Sequence, residues 1–70
     1  MKLGFIGTGE ITKAVIQGII NSKIKYKKIF ISKRNNKTSK YLKKINKKIS
    51  IFSDNQDIIN QSNWIFLAVT

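Results

Sequence analysis

The sequence predicts an α/β domain: a parallel sheet threaded β-α-β-α-β-α-β, a partial fold with its strands in the order 3-2-1-4. Three observations point there. Short apolar, β-branched runs recur along the chain, stretches with helical spacing separate them, and the first run passes directly into a glycine-bracketed turn that opens a helix. Right-handed crossovers then place the first strand between the second and the fourth.

The first strand is Lys2–Ile6, and Gly7 and Gly9 bracket the turn after it. The first helix covers Glu10–Ile20, where Ile11, Ala14, Val15, Gly18 and Ile19 fall at i, i+3, i+4, i+7 and i+8 and are expected to form its buried stripe, Gly18 permitting close packing. Lys28–Ser32 is the second strand, centred on Ile29, Phe30 and Ile31. A second helix is expected over residues 38–46 with Tyr41, Leu42 and Ile45 facing inward, and the β-branched pair Ile49 and Ile51 marks the third strand. A short helix follows at 54–61, capped by Asp54 or Ser53. Residues 63–70 read as a buried parallel strand, since Trp64-Ile65-Phe66-Leu67-Ala68-Val69 is continuously apolar.

The glycine turn carries the chemistry. Gly7 supplies the tight strand-to-helix turn, and Gly9, lacking a Cβ, lets a phosphate approach main-chain N–H groups at the positive end of the helix. The third glycine of the G-x-G-x-x-G pattern is replaced by Thr12, where a small residue normally lets helix and strand pack closely. The context still fits a dinucleotide site: a strand precedes the turn, a helix follows, and a second strand closes a unit of about 30 residues. The fold class is accordingly Rossmann-type.

In such sheets ligands lie across the carboxyl ends of the strands, at the switch between the first and fourth. Three loops therefore share one crevice: residues 7–11, 32–35 and 68–70. Sites for NAD place an acid after the second strand, about 20 residues past the glycines, to hold the ribose hydroxyls. Here no acid stands between Glu10 and Asp54, and the second strand ends in Ser32-Lys33-Arg34-Asn35. A hydroxyl, an ammonium and a planar guanidinium suit a phosphate monoester, so the expected cofactor is NADP(H).

Composition narrows the function further. With 70 residues there is room for one small domain, which buries about 60% of the unfolded chain's surface. The final apolar strand stops without the elements that would cover it, so the chain is expected to be a truncated domain or the opening segment of a longer protein. A complete mini-domain with such an edge would carry an aggregation hazard. There is no Cys and no His, which excludes disulfides, thiolate nucleophiles, histidine acid–base chemistry and the usual zinc sites from these residues. No stretch approaches roughly 18 consecutive apolar residues, so no membrane partner and a cytoplasmic location are expected.

Fourteen Lys and Arg against three acids give a net charge of +11. Most of the lysines fall between Lys23 and Lys48, and Lys37, Lys40, Lys43, Lys44, Lys47 and Lys48 read as the solvated face of the second helix. Without interleaved aromatics such a face reads no bases, and no nucleic-acid partner is expected.

Gly4-Phe5-Ile6-Gly7-Thr8-Gly9, Ser32-Lys33-Arg34, Asp54-Asn55-Gln56-Asp57 and Phe66-Leu67-Ala68-Val69 together resemble the N-terminal domain of pyrroline-5-carboxylate reductase over the whole chain. The glycine turn is shared by many reductases; the order G-F-I-G-x-G, D-N-x-[DE], F-L-A-V at these separations is more specific. The resemblance implies that Ile6, Gly7, Thr8, Gly9, Glu10 and Ile11 wrap the pyrophosphate, and that Ser32, Lys33 and Arg34 take the 2′-phosphate. It places Asn55 by the adenosine and Ala68, Val69 and Thr70 beside the nicotinamide.

The implied reaction is NADPH-dependent reduction of an imine to proline. Residues 1–70 would then be the dinucleotide-binding domain, with the small-molecule imine and the homo-oligomer interface served by a helical C-terminal domain absent from this chain, and no catalytic residue of its own. Three positions depart from that family: Glu10 stands where an uncharged amide is usual, Thr12 where the residue is smaller, and Thr70 where Lys is frequent. A carboxylate at position 10 favours the helix dipole and opposes the cofactor's phosphates. Two other readings stay open, a related reductase of another small acid or imine and a small basic nucleic-acid-binding module.

Overall fold

The structure, a computed structural model, describes residues 1–7, 9–33 and 36–67. Four strands, β1 (Lys2–Ile6), β2 (Lys28–Ser32), β3 (Ile49–Phe52) and β4 (Trp64–Leu67), alternate with three helices, α1 (Glu10–Ile20), α2 (Asn36–Ile45) and α3 (Asn55–Gln61). The strands form one parallel sheet in the order β3-β2-β1-β4, the partial Rossmann-type arrangement that the sequence predicts.

Pleating sorts the side chains between two layers. Leu3 and Phe5 of β1 lie in register with Ile29 and Ile31 of β2, which align in turn with Ile49 and Ile51 of β3. On this face they pack with Ile16 and Ile19 of α1 and Leu42 of α2 as the main core, and α1 and α2 touch each other. Gly4 alternates with Leu3 and Phe5 and so faces the opposite layer, where α3 lies. A Cβ on Gly4 would come 2.7 Å from Ile58 Cγ2 and would collide with Ser62 Oγ. Ile58 is fully buried there, and Phe30 stacks on Phe52 with ring centroids 4.9 Å apart.

Helix α1 is rotated from the expected orientation. Its buried residues are Thr12, Ile16 and Ile19, whereas Ile11 is 70% exposed and Ala14, Val15 and Gly18 are exposed as well. The stripe has moved by one residue, about 100° around the helix. The cause is a buried hydrogen bond: the Thr12 hydroxyl donates to the Gly7 carbonyl at 2.6 Å, which turns position 12 inward and position 11 out. Gly18 permits no close packing, since a Cβ there would meet nothing within 4 Å.

Helix α2 begins at Asn36, two residues ahead of expectation, and buries Thr38, Ser39 and Leu42 rather than Tyr41 and Ile45. Tyr41 instead lies along the seam with α1, where Gln17 Nε2 donates to its hydroxyl at 3.3 Å and the Lys13 ammonium sits 4.5 Å from its ring centroid. An amphipathic ring suits that half-wet position better than a core would. For α3, Asp54 is the cap, its carboxylate accepting from the Gln56 N–H at 2.9 Å.

Strand β4 pairs with β1 alone, and all four of its residues are exposed, Trp64 at 61% and Leu67 at 70%. This apolar strand is uncovered, as expected of one lacking the elements that would pack on it; Phe66 stacks on Phe5 with ring centroids 4.7 Å apart. Residues 68–70 lie outside the described residues. Among those described, no helix is long and apolar enough to cross a membrane.

Candidate dinucleotide site

Because the strands are parallel, the loops leaving their carboxyl ends share one edge of the sheet. In order along it come residues 53–55 after β3, residue 33 after β2, and residues 7 and 9–11 after β1. The chain reverses its direction of winding between β1 and β4, so the crevice beside Gly7 is the topological switch point.

At its centre Gly7 takes φ of 96°, a left-handed conformation that side-chain-bearing residues rarely adopt. Gly9 is the N-cap of α1 in ordinary extended backbone, and its value is spatial: a Cβ there would meet nothing within 4 Å, so the room beside it is unfilled by protein. The first intrahelical bond runs from Lys13 N–H to the Gly9 carbonyl at 3.0 Å. The amides of Glu10, Ile11 and Thr12 therefore precede the helix's own hydrogen bonding. Gly9 has no side chain with which to cap them, whereas α3 is capped by the carboxylate of Asp54. The two helix starts differ accordingly: one is closed by its own side chain, and the other presents amides, a dipole and open space to an anion.

The remaining candidate residues surround this turn. Ile6 is half-buried at the end of β1, opposite Leu67. Glu10 and Ile11 are exposed in the first turn of α1. On the neighbouring strand Ser32 is buried, its carbonyl accepting from Ser39 Oγ at 2.7 Å, and Lys33 is exposed while its N–H continues the sheet ladder to the Phe52 carbonyl at 2.9 Å. Asn55, exposed, opens α3 at the same edge beyond β2. Thr8, Arg34, Asn35, Ala68, Val69 and Thr70 lie outside the described residues.

Two residues at this edge were not legible as contributors. Thr12 and Ser39, each at most 1% exposed, send hydroxyls back from the first half of a helix to a carbonyl at, or one residue past, the end of the preceding strand. They pin the β1–α1 and β2–α2 corners in the same way. The only sequence signal is a small hydroxyl residue five or seven positions past the accepting carbonyl, a spacing too common to single out.

Charge is distributed unevenly. All three acids, Glu10, Asp54 and Asp57, cap or occupy the first turns of α1 and α3, where helix dipoles favour them. The lysines of α2 and the segment after it are exposed; Lys43 reaches the Ile49 carbonyl at 2.7 Å, and Lys48 lies 5.1 Å from the Tyr26 ring.

A glycine turn opening an uncapped helix at the switch point of a parallel sheet defines the nucleotide-binding class of α/β oxidoreductase domains. The chain belongs to the family described as NADP oxidoreductase, coenzyme F420-dependent, whose model matches residues 2–70. No curated protein and no solved structure matches the chain.

Proposed function

We propose that this chain is the NADP(H)-binding part of an oxidoreductase of the pyrroline-5-carboxylate reductase type. The observation that carries the reading is the turn itself: Gly7 at positive φ, Gly9 with nothing within 4 Å of its Cβ position, and the amide end of α1, which Gly9 does not cap with a side chain, meet at the switch point. These residues fit a diphosphate. The amides of Glu10 and Ile11 hold it, Ile6 and Thr8 flank it, and Ser32, Lys33 and Arg34 take the 2′-phosphate. Asn55 contacts the adenosine, and Ala68, Val69 and Thr70 border the nicotinamide. Once bound, the cofactor supplies the hydride that reduces the substrate's imine carbon.

Membership of an NADP oxidoreductase family supports the cofactor, as does the absence of any acid between Glu10 and Asp54. The narrower assignment rests on the order G-F-I-G-x-G, D-N-x-[DE], F-L-A-V. Calorimetric titration of the chain with NADPH and NADH in parallel tests the reading. NADPH is expected to bind tighter by about tenfold or more, the scale of one or two charge-assisted hydrogen bonds. Equal affinities remove the 2′-phosphate assignment, and binding of neither removes the cofactor site.

A further inference from the structure

We propose that Thr12 is a positioning residue of the diphosphate turn, acting through the carbonyl of Gly7; the proposal rests on the cofactor reading above and deepens it. Thr12 occupies the place where a glycine would ordinarily let helix and strand touch, and here its side chain fills that interface at 1% exposure. Its hydroxyl is committed to one acceptor, the Gly7 carbonyl at 2.6 Å, within the buried layer between α1 and β1. Gly7 is also the one residue, among those described, with positive φ.

Two consequences follow for an anion in the crevice. The Gly7 carbonyl oxygen, one residue past β1, carries partial negative charge and would repel a phosphate if it pointed outward; bonded to Thr12 it is satisfied inside the protein. The bond also sets the rotation of α1, the same rotation that exposes Ile11 and buries Ile16, and therefore the direction in which the first-turn amides point. A glycine or alanine at position 12 would leave this carbonyl without its donor. The hydroxyl thus holds the left-handed turn and the helix start in one arrangement before any ligand arrives, which lowers the ordering cost of binding.

The diphosphate is common to NADPH and NADH, so the bond affects both alike and takes no part in choosing between them. Thr12→Val, equal in shape but without the donor, is expected to weaken both cofactors by about tenfold, the scale of one buried hydrogen bond, and to leave their affinity ratio unchanged. Thr12→Ser is expected to bind as the parent does. Affinities are measured by calorimetry on protein shown to be folded by circular dichroism. If Thr12→Val does not fold, Thr12→Ser and Thr12→Ala decide, since both drop the methyl and differ only in the hydroxyl. Ser must then bind at least fivefold tighter than Ala. Parental affinity in folded Thr12→Val, or equal affinity in the Ser and Ala variants, overturns the proposal while leaving the cofactor reading intact. A parent chain that binds neither cofactor defeats that reading instead.

Discussion

Gly4 and Ile58 are packed so closely that α3 rests directly on β1: a Cβ on the glycine would stand 2.7 Å from the isoleucine's Cγ2. Nothing flexible separates them, because Ile58 is fully buried and Ser62 crowds the same point from the end of the helix. This contact holds the second layer of the domain to the sheet.

Gly4→Ala is accordingly expected to destabilise the chain by about 1–3 kcal/mol through overpacking, read from the urea midpoint. Gly18→Ala supplies the opposite sign. That position is helical, exposed and empty around its Cβ direction, so alanine should stabilise by up to about 1 kcal/mol through helix propensity. Equal effects would contradict the packing described.

The cap of α3 gives a second paired test. Asp54→Ala removes the acceptor of the Gln56 amide and is expected to cost about 1 kcal/mol, whereas Ser53→Ala should leave the unfolding midpoint within experimental scatter.

Replacing Lys33 and Arg34 together by Ala should lower the affinity for NADPH by about tenfold and leave that for NADH nearly unchanged, because only NADPH carries the additional phosphate. Competition between the two cofactors, followed by dihydronicotinamide fluorescence, reads the ratio. A parallel loss for both would assign these cations to general attraction rather than to selection.

Glu10→Gln separates binding from stability. The exposed carboxylate lies in the first turn of α1, where its charge favours the dipole and opposes that of a phosphate bound at the same helix end. Removing its charge is expected to raise the affinity for both cofactors severalfold while lowering stability by a few tenths of a kcal/mol. Unchanged affinity would show that the side chain turns away from the ligand.

The exposed edge of β4 presents four apolar residues and one row of unpaired backbone groups. Concentration-dependent association is the expected consequence, and Ile65→Lys should suppress it in sedimentation velocity, as charge does on other sheet edges. Association unaffected by that change would point to another surface.

Much of the domain was legible without coordinates because its information is local. Periodicity, β-branched runs and two glycines located all seven elements, and right-handed crossovers alone arranged the strands as 3-2-1-4. The edge at which Gly7, Lys33 and Asn55 gather follows from that order. The rotation of each helix about its axis was decided by tertiary structure, because an apolar pattern such as Ile11, Val15 and Gly18 competes with another, Thr12, Ile16 and Ile19, offset by one residue. A single buried hydroxyl bond, invisible to a hydrophobicity count, selects between them. The partner of β4's one stacked ring was decided there too: the sequence shows an apolar strand without cover, and only its register against β1 sets Phe66 on Phe5, because side-chain contact depends on which residues pairing brings opposite each other.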